Sequence, residues 1–326
     1  MPLLSIVAPV YNEEKNIKAF LDALKPCLEQ VSQDYEIIFA MDPSTDRTEE
    51  LILAAREKDP RVKLLLFSRR FGQPAATWAG LSYSSGEAVI VIDADLQDPP
   101  SLIPEMCRIW REEGYKVVIP QRRSRKGENP IKKMVAYLGY WFINKTASVE
   151  IPRNTGDFRL LDRRVVDELM GLKESHGFLR GLTAVVGFKT KLLPFDRDPR
   201  LKGAGKYNPL TGSLKIGFNG IVAFSGSLLR MMGGAGFLMA ALSLLAAFLL
   251  FLLRYLNLYE FATGLATLGI LLTFLTGCQL MSLGILGAYI GRIYEETKLR
   301  PKFIVDQAVG FDKAAAPQGE GGRTDA

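Results

Sequence analysis

Only one histidine, His176, occurs among the 326 residues. A zinc site of several imidazoles or a serine–histidine triad would have to be built around it, so carboxylates and basic groups must carry any chemistry. His176 precedes Gly177 in a loop-like stretch and is read as a surface or packing residue. Cysteine is scarce as well. Cys27, Cys107 and Cys278 are far apart and lack zinc spacing, which fits a reducing compartment. No G-x-G-x-x-G follows the first apolar strand, which disfavours a dinucleotide cofactor fold. No nucleic-acid-binding motif occurs either. The formal net charge of +6 is therefore read as attraction to anionic lipid headgroups or phosphorylated substrates. No secretory leader is expected, because the first apolar stretch is short and runs into Asn12-Glu13-Glu14. No internal repeat is present.

Charge is missing from two long stretches, Met231 to Leu253 and Phe261 to Gly291. At 1.5 Å per helical residue the first is about 34 Å long, enough to cross a bilayer core. The connector, Arg254 to Glu260, is too short for anything but a hairpin, with spans over about 231–253 and 262–290. Lys215 and Arg230 precede the hairpin, and Arg292, Lys298, Arg300 and Lys302 follow it. This asymmetry places both flanks on the cytoplasmic side of a bacterial inner membrane. Four regions result: an N-terminal domain over 1–207, a juxtamembrane amphipathic helix within 208–230, the hairpin over 231–291, and a cytoplasmic segment over 292–326, disordered after about 313. Ile131 to Ile143, aromatic and flanked by lysines, reads as an interfacial helix or an ordinary core helix. Gly233, Gly234, Gly236, Gly284, Gly287 and Gly291 permit close helix packing and a homo-oligomer.

Strand and helix patterns alternate through the first half. Strands are predicted at Leu4–Val10, Glu36–Met41, Val62–Phe67, Ala88–Ile92 and Lys116–Pro120. Helices are predicted at Asn16–Gln30, Thr48–Glu57, Gln73–Ser84 and Ser101–Glu113. This order specifies an α/β fold with a doubly wound, mostly parallel sheet. The run Ala88 to Ile92 has the composition of a central strand and ends in Asp93-Ala94-Asp95. Residues i and i+2 of an extended chain point the same way, so Asp93 and Asp95 can close on one cation, with Gln97 adding an oxygen. Hard oxygen ligands suit Mg²⁺ or Mn²⁺, and Mg²⁺ typically takes one or two carboxylates plus substrate phosphates. Spacing alone leaves a second reading open, since Asp98-Pro99-Pro100 is a turn signal and acids form turns and caps.

Three other strand ends bear on that choice. They carry Ala8-Pro9-Val10-Tyr11-Asn12-Glu13-Glu14, Ala40-Met41-Asp42-Pro43-Ser44-Thr45-Asp46 and Arg69-Arg70-Phe71-Gly72-Gln73-Pro74. In a parallel sheet all four converge on one cleft. Together they resemble the inverting family 2 glycosyltransferases with the GT-A fold, and most of all the polyprenyl-phosphate branch, with bactoprenol glucosyltransferases nearer than dolichol-phosphate mannose synthases. The resemblance covers about residues 3–305. Thr155-Gly156-Asp157-Phe158-Arg159-Leu160-Leu161-Asp162-Arg163 is similar to the bactoprenol type. Arg200-Leu201-Lys202-Gly203-Ala204-Gly205-Lys206-Tyr207 is similar to the basic loop before the membrane segment. The chain departs from the family at Met41, where a second acid is usual, and at Pro43, where glycine is usual.

The resemblance implies a transfer of glucose from UDP-glucose to undecaprenyl phosphate. Pro9, Tyr11 and Glu13 would flank uracil and ribose, Asp42 would contact base or ribose, and Gln73 belongs with this donor-binding set. Asp93, Asp95 and Gln97 would hold the metal that neutralises the departing diphosphate, with Asp95 counted among the catalytic residues. Arg122, Arg159, Arg200 and Lys206 are candidates to screen the acceptor phosphate. Asp157 would orient a sugar hydroxyl, accept a proton, position Arg159, or form a structural ion pair. Another sugar donor, such as GDP-mannose or a UDP-aminoarabinose derivative, and a non-catalytic nucleotide-sugar-binding membrane scaffold are the alternatives. A processive polymer synthase is disfavoured by the lack of a Gln-x-x-Arg-Trp motif and by only two spans.

Overall fold

The computed structural model describes residues 3–123, 152, 154–172, 179–195, 265–298 and 300–311, with scattered positions between 234 and 256. The 131–143 segment, the juxtamembrane stretch, most of the first span and its connector, His176, Arg200, Lys206 and the tail after 313 lie outside the described residues. The chain divides into two units, one holding the sheet and the C-terminal segment, the other holding 131–148 and 208–298.

The first unit opens with β1 (Leu4–Val10), α1 (Ile17–Glu29), β2 (Tyr35–Met41), α2 (Thr48–Lys58), β3 (Val62–Phe67), α3 (Gln73–Tyr83) and β4 (Ala88–Val91). A 3-10 turn at Pro100–Leu102 leads into α4 (Ile103–Glu112) and β5 (Val117–Arg122). Then come β6 (Arg159–Asp162), α5 (Arg163–Gly171), α6 (Leu179–Val185) and β7 (Thr190–Phe195). Each predicted element up to β5 is present, with ends shifted by no more than two residues apart from the 3-10 entry to α4. The local causes are plain. On α1, Ile17, Phe20, Leu21, Leu24 and Leu28 recur at helical spacing and are all buried. On α2, Glu49 and Glu50 stand in the first turn and Arg56 and Lys58 in the last, each complementing the helix dipole. Pro74 opens α3 and Pro104 opens α4, where proline costs no hydrogen bond.

With β8 (Val305–Val309) from the C-terminal segment, one eight-stranded sheet results, in the order β7-β5-β6-β4-β1-β2-β3-β8. β1 runs parallel to β2 and β4, β2 to β3, and β5 to β7, while β6 is antiparallel to β4 and β5. The order β4-β1-β2-β3 reverses direction between β1 and β4, the switch point where open α/β sheets bind ligands. The core lies on both faces, with Ile6, Ile37, Phe39 and Ile90 on one side and Ile38, Ala40, Leu65 and Phe67 on the other.

The eighth strand, β8 (Val305–Val309), comes from beyond the apolar stretches and pairs antiparallel with β3. Phe303, Val305 and Phe311 pack on the cluster of Ile38, Leu65, Phe67 and Ala79. The backbone N–H of Ser68 donates to the Ile304 carbonyl at 3.1 Å, and the Lys302 ammonium lies 4.2 Å from the Trp78 ring centroid. Sequence reading did not anticipate this strand.

In the second unit, α7 (Leu265–Thr297) runs for 33 residues. Its segment Phe274–Thr297 is long and apolar enough to cross a membrane by length and composition. Leu272, Leu280, Leu283, Leu286 and Ile290 on α7 are exposed.

At the end of the sheet away from the switch-point cleft, Glu36 is buried at 2% exposure. It accepts from Ser5 Oγ (2.5 Å), Lys63 Nζ (2.6 Å), Ser85 N (2.8 Å) and Ser85 Oγ (2.9 Å), tying β1, β2, β3 and the approach to β4. Burial by itself raises the Glu36 pKa, but the hydrogen bonds from Lys63, Ser5 and Ser85 outweigh it and hold the carboxyl below its ordinary value. Its contribution to stability is therefore complete above the ordinary carboxylate pKa and is lost as pH falls through the depressed one. Glu36→Ala strands these donors and is expected to cost about 3 kcal/mol, as breaking a buried pair does. The check is a lowered thermal midpoint whose difference from wild type shrinks on acidification below about pH 4.

Candidate active-site cleft

The loops after β1 and β2 are laced together before they reach the cleft. Asn12, at φ 53°, exchanges hydrogen bonds with Thr45: Thr45 N donates to Asn12 Oδ1 at 2.8 Å and Asn12 Nδ2 donates to Thr45 Oγ1 at 3.2 Å. The backbone N–H groups of Asn12, Glu13 and Glu14 donate to Ser44 Oγ, Thr48 Oγ1 and Asp46 Oδ2. Pro9, Tyr11 and Glu13 are thus fixed, half-buried, against the β2 loop. The Arg70 guanidinium lies 4.1 Å from the Tyr11 ring centroid, a cation–π contact on one aromatic face.

Asp42, only 3% exposed, shapes the third loop. Its carboxylate accepts from the backbone N–H of Phe71 at 2.8 Å and of Gly72 at 2.9 Å. Gly72 has φ +91°, a conformation that suits glycine, and α3 starts at the next residue. The turn brings Gln73 to Asp93, with Gln73 Nε2 donating to Asp93 Oδ1 at 2.8 Å. The structure therefore joins Asp42, Gln73 and Asp93 in one chain of contacts. It also gives both Asp42 oxygens a task in building the loop.

Asp93 and Asp95 stand just beyond β4. Leu96, at φ 58°, turns the chain back so that the Gln97 N–H donates to Asp95 Oδ1 at 3.1 Å. The turn and ligand readings of this motif are thus compatible. Gln97 is 5% exposed and Asp98 is 4% exposed. Burial, followed by the charges of Asp157, Asp95 and Asp98, pushes the Asp93 pKa up to about 7, with Arg180 opposing. Negative charge is therefore concentrated where a cation would be stabilised. Among the described residues no three His, Cys, Asp or Glu side chains form a complete metal cage. One or two carboxylates with substrate oxygens completing the shell is the donor set that Mg²⁺ and Mn²⁺ accept, so the residues present fit such an ion.

On the β5–β6 side the cations gather. Arg122 Nη2 donates to Asp98 Oδ1 at 3.4 Å, while Arg122 Nε is buried with no hydrogen-bond partner among the described residues. Gly156 lets the two approach, since a Cβ there would sit 3.2 Å from Arg122 Nη2 and 3.5 Å from Asp98 Oδ2. Arg180 Nε donates to Asp157 Oδ1 at 2.8 Å. Burial raises the Asp157 pKa, but the charges of Arg180, Arg159 and Arg122 outweigh it and hold the carboxyl below its ordinary value.

Arg159 requires a correction. Sequence reasoning set it among cations facing an acceptor phosphate, but it belongs to a central strand and is 1% exposed. Its guanidinium donates to the Gly156 carbonyl (2.9 Å), the Asp157 carbonyl (3.3 Å), Thr183 Oγ1 (3.0 Å) and the Leu179 carbonyl (3.4 Å). It welds the Asp157 backbone to α6. Two residues were missed, Asp98 and Arg180. Asp98 had been read only as part of a turn, and Arg180 sits 23 residues from its partner with no spacing to mark it.

The model of the family described as glycosyl transferase family 2 matches residues 5–170. The chain is 44% identical over 310 residues to an uncharacterized glycosyltransferase of Bacillus subtilis strain 168, covering 94% of each. It is 37% identical over 302 residues to the bactoprenol glucosyl transferase of Shigella phage SfV, covering 93% of this chain and 97% of that one. Among solved structures, glucosyl-3-phosphoglycerate synthase from Mycobacterium tuberculosis overlays with a TM-score of 0.47 at 20% identity, covering 68% of this chain and 78% of that one.

The Asp93 environment makes a pH prediction. Its raised folded-state pKa means that the folded protein holds a proton there from the ordinary carboxylate pKa up to about 7. This group therefore makes the cation-free fold less stable as pH rises across that window, and a bound cation must displace the proton below it. The thermal stabilisation given by Mn²⁺ or Mg²⁺ is expected to grow from pH 6 to pH 8, and Asp93→Asn should flatten that growth. A pH-independent stabilisation in wild type would argue against a cation at Asp93.

Proposed function

The chain belongs to glycosyl transferase family 2, and from that premise we propose that it transfers glucose from UDP-glucose to undecaprenyl phosphate or a similar polyprenyl phosphate, with inversion and release of UDP. The observation that carries this reading is the similarity to bactoprenol glucosyl transferases over 93% of the chain, apolar stretches included. The enzyme would be an integral protein of the bacterial inner membrane with its sheet domain in the cytoplasm. The 24-residue apolar segment within α7 supports an anchor, and a homo-oligomer is proposed on the glycines of the two stretches.

In this reading Pro9, Tyr11 and Glu13 flank the nucleoside. Asp42 acts on it through the 69–73 loop that it holds, and Gln73 orients Asp93. Asp93 and Asp95, with Gln97 beside them, would hold Mg²⁺ or Mn²⁺, which when bound supplies positive charge against that developing on the departing UDP. The acceptor needs little activation. A phosphate monoester has a second pKa near 6, so its oxygen arrives largely ionised at neutral pH. The residues must instead overcome repulsion between two anions and align them. Arg122 is proposed for that role, with Arg200 and Lys206 extending the same basic surface. β4 stands between the nucleoside-side loops and the arginine side, an arrangement suited to in-line attack opposite the leaving group.

The test is transfer of labelled sugar from UDP-glucose, GDP-mannose and a UDP-aminoarabinose derivative to undecaprenyl phosphate, with and without chelator. UDP-glucose is expected to be the substrate and chelator to stop the reaction. Asp95→Asn should lower turnover by about a hundredfold or more with the fold intact, in the range of losses when one transition-state charge contact is removed. Preference for another donor would transfer the assignment to that sugar. Binding without UDP release in the presence of lipid phosphate would favour a non-catalytic scaffold.

A further inference from the structure

The turn that carries Gln73 to Asp93 is bracketed by a piece of chain far from it in sequence. Before the turn, the backbone N–H of Ser68 donates to the Ile304 carbonyl at 3.1 Å. After it, the Lys302 ammonium stands 4.2 Å from the ring centroid of Trp78, in the second turn of α3. Between these contacts the Phe303 ring lies 6.1 Å from Phe67, and Phe67 stands edge-on to Phe71 at 6.1 Å. The consecutive residues Lys302, Phe303 and Ile304 thus hold both ends and the aromatic base of the 69–73 turn.

The register of β8 serves that placement. β8 runs antiparallel to β3, so its first residues lie at the cleft end of the sheet and its last at the other. Leu66 pairs with Gln307 but Phe67 with Val305, a shift that passes over Asp306. Bulges of this kind add twist and re-aim the side chains beside them. Here they adjoin the residues that enter the turn. At the opposite end the Phe311 ring lies 5.3 Å from Tyr83, and the Lys63 ammonium lies 5.0 Å from the Phe311 centroid. Lys63 is the partner of Glu36, so that end belongs to the ion-paired side of the sheet away from the cleft.

From Phe71 the path to the cleft is short. Its N–H and that of Gly72 donate to Asp42, α3 begins, and Gln73 Nε2 donates to Asp93 Oδ1. Ser68, Arg69, Arg70 and Gln73 are exposed, so half-buried Phe71 is the apolar foothold of the turn. We propose that Phe303 is a positioning residue for the donor nucleotide: by packing on Phe67 it seats Phe71 and presets the turn that aims Gln73 at Asp93. This inference rests on the proposed use of a UDP-sugar and a divalent cation in that cleft. A preset turn needs no ordering when the donor arrives, whereas a loosened one must be ordered then, and the loss appears in donor binding. The acceptor side proposed above lies across β4 and should feel little of it.

The experiment is calorimetric titration of the full chain with UDP in the presence of Mn²⁺. Thermal midpoints and the KM values for UDP-glucose and undecaprenyl phosphate are measured alongside, for wild type, Phe303→Ala, Phe303→Leu and Phe311→Ala. Phe303→Ala is expected to weaken UDP binding and raise the UDP-glucose KM about tenfold, roughly the ordering cost of one backbone residue, with the acceptor KM within about twofold. Phe303→Leu should recover part of that loss, because it refills most of the volume without the ring. Phe311→Ala should lower the thermal midpoint as Phe303→Ala does, yet leave UDP binding within about twofold. Unchanged UDP affinity in Phe303→Ala, or an equal loss in Phe311→Ala, overturns the inference. Should Phe303→Ala fail to fold, Phe303→Leu decides alone: wild-type UDP affinity overturns the inference. A wild type that binds no UDP overturns the functional reading and this inference with it. A wild type that binds UDP with an affinity independent of Phe303 overturns the inference only.

Discussion

Desolvation of Asp93 among other carboxylates is the constraint around which the cleft is arranged. Water is partly withdrawn from a group whose neighbours Asp157, Asp95 and Asp98 all add negative charge. Such a cluster persists only if the fold supplies compensation, and it does so from two directions. Gln73 donates to Asp93 from the β3 loop, and Arg122 and Arg180 engage Asp98 and Asp157 from the far side. In the proposed function a cation and the donor diphosphate would answer the remaining negative charge, and their binding would add to the stability of the fold.

The same economy runs through the supporting loops. Asp42, whose sequence position suggested a direct ligand contact, uses both oxygens to fold the turn that delivers Gln73. Arg159, whose charge suggested phosphate, is consumed inside the sheet. In both cases a charged side chain at the active edge works through a neighbour. The chain thereby builds a rigid approach to a small number of exposed groups, as preorganised sites require.

Much of this was legible in the sequence, and unevenly so for physical reasons. β1 to β4 are apolar runs that end in turn chemistry, and α1 shows its buried stripe in its spacing, so each declared itself. Asp93 and Asp95 were legible as a pair because they follow an apolar strand two residues apart, and the structure sets them in the turn just beyond β4. β6 has only four residues, and β7 is half-exposed at the sheet edge, so neither carried a strong pattern. β8, with Asp306 and Gln307 inside five residues, lacks the apolar run of a core strand and is a strand through its pairing with β3. The burial of Arg159 in a central strand is a property of topology that the Thr155–Arg163 motif does not contain. Arg180 was invisible for a related reason: its contact with Asp157 is made by the return of the chain.

The place of β8 in the chain gives the sheet a temporal order. Every other strand precedes residue 196, whereas Val305–Val309 emerges from the ribosome only after the apolar stretches have been made. Until then the far edge of β3 has no partner, and an unpaired edge invites pairing with other chains. A nascent or truncated polypeptide that stops short of this segment therefore has an open sheet and lacks Phe303 and Phe311 against its core. The sheet therefore gains its eighth strand only in chains translated past the apolar stretches.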